Sequence, residues 1–243
     1  MNSPEGSSLK EALRKNVTKT KFASIFGSFS RGNYDPLSDI DVFIVCEDEA
    51  DKSAISNILM KLGYKVGKKI HINIFTSDDF EERVRNYDYL IASILDDSEF
   101  IFGDEDSFFE GKRRIFRGLP NLKSVGFNKR MGLKMVNSAN DRLRDLLFNS
   151  SFSHNLELGN VRDNVLIGCL RDYHLGFGYL AASANMRRLN KAITLGQLLT
   201  SDDYFFIKDL ILTEKSIIRK GIVDLGDVNN LFNYSKRLLQ NLI

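Results

Sequence analysis

Gly27-Ser28-Phe29-Ser30-Arg31-Gly32-Asn33-Tyr34-Asp35-Pro36-Leu37-Ser38-Asp39-Ile40-Asp41 joins two apolar runs, and its reading decides the first part of the chain. Before it, Phe22–Phe26 is a short apolar run ended by a glycine, which predicts a strand. After it, Ile40–Cys46 is rich in β-branched and apolar residues and predicts a second strand. Between them Gly32, Asn33, Asp35 and Pro36 favour tight changes of backbone direction. Gly27 and Ser28 stand where the chain must turn sharply. Backbone N–H groups left free by such a turn suit phosphate oxygens, and a glycine lets phosphates approach without a Cβ in the way. Asp39 and Asp41 share one face of a strand, with Cα atoms roughly 6.6 Å apart at ~3.3 Å rise per residue. Two carboxylates on one face beside a phosphate cradle make a place for Mg²⁺. A plainer alternative keeps Asp39 as a turn cap and pairs Asp41 with Arg31 at the surface. Against it stands the strand that follows: Val42–Val45 is apolar throughout, and a carboxylate at its head is costly unless exposed in a cleft, paired or metal-bound.

Outward from this stretch the chain has two halves. Ser8-Leu9-Lys10-Glu11 has the spacing of a capping box, and Leu9, Ala12, Leu13 and Val17 predict a first helix to about Thr18. Asp51–Leu62 carries Ile55, Ile58, Leu59 and Leu62 at helical spacing and stops at Gly63. Ile70–Phe75 alternates, with Ile70, Ile72 and Ile74 on a dry face and His71 and Asn73 on a polar one, so it predicts a third strand. Ser77–Asn86 reads as a helix, with Asp78 and Asp79 as acids in its first turn. Beyond an acidic patch, Asp96–Asp106, only long helical periods follow: Leu122–Phe148, Leu156–Leu189, Tyr204–Lys220 and Val228–Leu242. The expected fold is α+β, a small mixed β-sheet domain over 1–108 and an all-helical bundle domain over 109–243.

Composition narrows the class without choosing a function. The 243 residues are enough to bury a core without disulfides, and Cys46 and Cys169 both sit in apolar runs, as buried free thiols would in a reducing cytoplasm. No segment approaches the ~20 apolar residues of a membrane span, and Met1–Ser8 lacks the apolar core of a signal peptide. A cytoplasmic protein without membrane attachment is expected. The formal charge of +2 does not indicate a nucleic-acid partner, although one remains possible. In the helical half, Lys112, Arg113, Arg114 and Arg117, and likewise Arg187, Arg188 and Lys191, read as solvated helix faces, with a phosphate-bearing acceptor as the alternative.

Gly27-Ser28, then Arg31-Gly32, then Ser38-Asp39-Ile40-Asp41 opening a hydrophobic strand resembles the signature of the DNA-polymerase-beta-like nucleotidyltransferase superfamily. The resemblance is confined to the N-terminal half. It implies a nucleoside triphosphate, with ATP the expected one, held by Gly27, Ser28, Arg31 and Ser38. It implies further that Asp39 and Asp41 are catalytic carboxylates that ligate Mg²⁺ or Mn²⁺. An acceptor would attack the α-phosphorus in line and release pyrophosphate, with the metals neutralising charge on the attacking and leaving oxygens. Arg31 either reaches the phosphates or pairs with Asp35; both stay open. The sequence departs from the pattern at one place. Catalysing members carry a third carboxylate on a neighbouring strand, whereas the slot on Ile70–Phe75 offers His71 or Asn73. Either His71, Asn73 or a loop acid such as Asp78 completes the site, or the chain is a weakened or inactive nucleotide-binding, antitoxin-like or regulatory module. Imidazole suits Mn²⁺ or Zn²⁺ better than Mg²⁺. The acceptor, the oligomeric state and the role of the helical half are not legible.

Overall fold

The computed structural model describes residues 10, 11, 13–15, 20–32, 38–148, 159–189 and 233. The chain divides into two compact units, Met1–Gly118 and Leu119–Ile243.

The first unit is built on a four-stranded mixed sheet. Its strands are β1 (Phe22–Phe26), β2 (Ile40–Cys46), β3 (Ile70–Thr76) and β4 (Glu99–Gly103), ordered β3-β2-β1-β4. β1 is antiparallel to both β2 and β4, whereas β2 and β3 are parallel. A parallel pair needs a long crossover. Here it is α2 (Glu49–Val66), capped by Asp48, whose carboxylate accepts from Asp51 N at 3.0 Å, and ended by Gly67 at φ 63°. A single turn, α1 (Gly27–Ser30), follows β1; α3 (Ser77–Arg85) and α4 (Tyr89–Asp97) separate β3 from β4, and α5 (Glu105–Arg117) closes the unit.

Side-chain alternation along the strands feeds two cores. On one face Ala23, Ile25, Ile40, Val42, Ile44 and Cys46 meet Leu13, Phe29 and the α2 residues Ile55, Leu59 and Leu62. The Ile70, Ile72 and Ile74 face of β3 packs there too, as its alternation predicts. On the other face Phe22, Phe43 and Val45 meet Phe80 and Val84 of α3, Ile91, Ile94 and Leu95 of α4, and Phe108 and Ile115 of α5. Phe22 lies edge-on to both Phe80 and Phe108, at centroid distances of 5.3 and 5.6 Å.

Three strands and the helices after β2 and β3 stand where the sequence predicts them. The acidic patch Asp96–Asp106 holds more structure than expected. Phe100-Ile101-Phe102 forms β4 between acids, sending Ile101 to one core and Phe100 to the other. α4 has no single apolar stripe, because Tyr89, Ile91, Ala92, Ile94 and Leu95 are all buried. The expected boundary at 108/109 falls inside α5; the first unit continues to Gly118, because Phe108 and Ile115 belong to its core. The basic residues of α5 are largely engaged within the unit. Arg113 pairs with Glu110, Arg114 with Glu81 at 2.7 Å, and Lys112 donates to the Asp96 carbonyl at 3.3 Å.

In the second unit the described helices are α6 (Leu122–Phe148) and α7 (Gly159–Leu189). Ser183 bonds the Val125 carbonyl and Tyr173 bonds Asn140, so α7 runs antiparallel to α6. Gly132 and Gly176 mark a close approach: a Cβ on Gly132 would lie 2.7 Å from the Gly176 carbonyl. Buried polar side chains find partners inside the pair. Tyr173 OH donates to Asn140 Oδ1 at 2.7 Å, and Asn128 Nδ2 donates to the Ser124 carbonyl at 2.9 Å. Both cysteines are free and buried, as expected, and burial pushes the Cys169 thiol up to about 11. The helices expected over 204–220 and 228–242 lie outside the described residues, as does Lys191. Among the described residues no helix is long and apolar enough to cross a membrane.

Candidate active site

Strand register alone gathers the candidate residues. Asp41, second residue of β2, is level with Phe26 at the end of β1 and with His71 on β3. Asp39 immediately precedes β2. Gly27 comes directly after Phe26 and has φ +77°, a left-handed conformation that other residues adopt only with strain. A Cβ at Gly27 would also stand 2.4 Å from Asp41 Oδ2. Glycine is therefore required twice, by the turn and by the carboxylate. The turn is anchored by Phe29, which is buried, and by Ser30 Oγ, which donates to the Gly27 carbonyl at 2.9 Å. Ser28 lies half-buried in this turn, and Ser38 half-buried beside Asp39.

His71 stands between the two aspartates. Its Nε2 is 3.2 Å from Asp39 Oδ2, and its Nδ1 is 3.4 Å from Asp41 Oδ1. Nε2 is nevertheless a buried nitrogen without a hydrogen-bond partner. Its approach to Asp39 has the distance of a hydrogen bond but not the alignment. Asn73, the other occupant considered for the third-acid slot, is level with Phe43 one step further along the sheet. Of the two, His71 is the residue brought to both carboxylates. Asp79 is engaged elsewhere: it accepts from Lys52 Nζ at 3.0 Å, and its N–H donates to Thr76 Oγ1 at 3.1 Å. Asp78 lies in the first turn of α3.

Arg31 pairs with Asp97 at the end of α4, not with Asp41; Asp35 lies outside the described residues. Asp97 also faces the turn, its Oδ1 3.5 Å from the Gly27 N–H. The sequence reading missed Asp97 by taking it as part of an acidic patch. The available signal was Asp96-Asp97 closing an apolar run, since acids at a helix C-terminus oppose the helix dipole.

The donor set bears on the kind of metal site that fits. Among the described residues no three His, Cys, Asp or Glu side chains form a group able to hold an ion by themselves. Mg²⁺ in nucleotide sites is held by one or two carboxylates, with substrate phosphates and water completing the octahedron. Asp39 and Asp41, each about a quarter to a third exposed, fit that open type and not a closed protein cage.

Residues 7–101 match the family model described as "Nucleotidyltransferase domain". The N-terminal part of this chain is thus a nucleotidyltransferase domain of the polymerase-beta-like class. No curated protein matches the chain. Among solved structures, spectinomycin adenyltransferase from Enterococcus faecialis, crystallised with ATP and spectinomycin, is 14% identical with a TM-score of 0.46, over 97% of this chain and 98% of that one. A toxin–antitoxin structure with AMP-PNP is 18% identical with a TM-score of 0.36, over 46% of this chain and 84% of that one. A nucleotidyltransferase-like protein from Exiguobacterium sibiricum is 9% identical with a TM-score of 0.36, over 96% of this chain and 74% of that one.

Proposed function

We propose that this chain binds a nucleoside triphosphate, ATP first, together with Mg²⁺ or Mn²⁺ and transfers its nucleoside monophosphate to an acceptor hydroxyl or phosphate. The observation that carries this reading is the fit of Gly27 against Asp41: the turn assigned to the phosphates touches the carboxylate assigned to the metal. In the proposed reaction the acceptor oxygen bonds to the α-phosphorus, the bond to the bridging α–β oxygen breaks, and pyrophosphate leaves. The divalent ion, when bound, neutralises charge on the phosphate oxygens. Gly27, Ser28 and Ser38 line the triphosphate's seat, Asp39 and Asp41 hold its metal, and Arg31 offers a cation to the phosphates. His71, standing in the slot where the resemblance puts a third carboxylate, lies beside both Asp39 and Asp41 and is the group left to receive the acceptor's proton.

A second reading is favoured by one observation, the imidazole in the third-acid position. Without a third carboxylate the nucleotide's own metal keeps its ligands, whereas the ion that activates the acceptor loses one. The chain would then be a nucleotide-binding or regulatory module with weak turnover. Incubation with labelled ATP and Mg²⁺ or Mn²⁺, followed by mass spectrometry of the protein and of candidate acceptors, separates the two. Metal-dependent pyrophosphate release with a labelled product supports the transferase. Metal-dependent binding without release supports the module, and absence of metal-dependent binding sinks both.

A further inference from the structure

Asp97 is a carboxylate in an unfavourable place. It is the last residue of α4, directly after Asp96, and no basic residue lies in the last turn of that helix. A helix C-terminus carries partial negative charge, so an acid there is disfavoured unless a cation or donor outside the helix compensates. The compensation comes from across the unit. Asp97 Oδ2 pairs with the Arg31 guanidinium, and Asp97 Oδ1 lies 3.5 Å from the Gly27 N–H. The neighbouring Ser98 turns back instead, donating to the Ile94 carbonyl at 2.5 Å. Asp97 thus holds two groups that the proposed function gives to the triphosphate.

Both ends of the pair can be reached. The Arg31 side chain is 52% exposed and that of Asp97 25%. An ion pair so open to water is weak, and a bound triphosphate brings several negative charges where Asp97 brings one. Resting on the transferase reading above, we infer that Asp97 is a positioning residue that occupies Arg31 in the nucleotide-free protein and surrenders it to the incoming triphosphate. The carboxylate keeps the arginine in place and its charge balanced, and nucleotide binding must displace it. Asp97 therefore lowers affinity for free nucleotide and makes the Arg31 contact conditional on the triphosphate.

Calorimetric titration of the full chain with ATP and Mg²⁺ tests this across native protein, Asp97→Asn, Arg31→Met and the double variant. Asp97→Asn is expected to bind about fivefold tighter than native, the equivalent of releasing one exposed ion pair. That gain is expected to vanish in the Arg31→Met background, because no cation is left to release. Asp96→Asn removes the same charge one residue away and should produce no comparable gain. A gain that persists without Arg31 would make the effect one of general charge and overturn the inference. So would an Asp97→Asn variant that binds equally or more weakly, the outcome for a residue that merely braces the turn. Asp97→Ser repeats the test should the asparagine variant fail to fold. If native protein binds Mg–ATP and Asp97→Asn shows no gain, only the role of Asp97 falls; if neither binds, the transferase reading falls with it.

Discussion

The aspartates at the head of β2 and the aspartate on α7 are held in opposite ways. Asp172 on α7 is paired with Arg142 of α6, in a helical pair whose buried Asn128, Asn140, Tyr173 and Ser183 also have partners within the unit. Asp39 and Asp41 stand side by side, and among the described residues the side chain set against both is the His71 imidazole, not a lysine or arginine. Like charges brought together repel, so an arrangement of the second kind suits the binding of a cation, as the proposed function requires. In the helical pair these buried polar groups are satisfied by one another or by the backbone of the pair.

Paired substitutions can break that contrast. The largest effect is expected at glycine. Gly27→Ala combines a left-handed backbone, costing about 1–2 kcal/mol, with the contact against Asp41. It should lower the melting temperature and abolish metal-dependent ATP binding in calorimetry. Gly132→Ala meets the Gly176 carbonyl and Leu180 and should also lower the melting temperature, but with ATP affinity unchanged. Equal effects of the two on ATP binding would erase the distinction between the regions.

Carboxylates come next. Asp41→Asn should weaken Mg–ATP binding by at least about tenfold, roughly the loss of one strong charge-assisted contact. Its melting temperature should hold or rise, because a repulsive neighbour is removed. Asp172→Asn should do the reverse, costing up to about 1 kcal/mol of stability with no change in binding. A destabilised Asp41→Asn would mean that this carboxylate serves the fold first.

The third-acid slot sharpens the comparison within the site. If the chain is the weakened module, His71→Asp is expected to raise metal-dependent ATP turnover and to lower stability in chelator, with Mg²⁺ or Mn²⁺ restoring it by linkage. Loss of a turnover that the native protein shows would instead identify His71 as a working group.

The smallest effect is at Asp79, an acid whose partner is known. The hydrogen bond from Lys52 holds its carboxyl below the usual aspartate value. A folded-state value below the unfolded one gives stability that is present above the ordinary aspartate range and is lost as pH falls through the folded value. Asp79→Asn should therefore cost a few tenths of a kcal/mol near neutrality, given its half-exposed side chain, and nothing in strong acid. Denaturant midpoints at the two pH values measure it.

What was legible in the sequence follows from the range of the forces involved. Gly27, Asp39 and Asp41 could be read because a left-handed turn and a two-residue strand repeat are local. His71 could be placed on the polar side of β3 by alternation, but its position between both aspartates depends on the parallel register of β2 and β3. The partner of Asp97 was illegible, because Arg31 is 66 residues away and the helix that carries Asp97 has no clean apolar stripe. β4 was hidden by Glu99 and Ser98, whose polarity masked the three apolar residues that follow them.

Gly27 has a consequence for reading variants of this protein. Its two constraints are separable: replacing Asp41 with a smaller residue removes the clash, while the φ of +77° stays. A genetic screen for suppressors of Gly27→Ala should accordingly yield no full revertant at position 41. By the same logic, a descendant of this chain that had discarded its aspartates would still be obliged to keep the glycine. The glycine marks the turn itself, whereas the proposed activity rests on the aspartates.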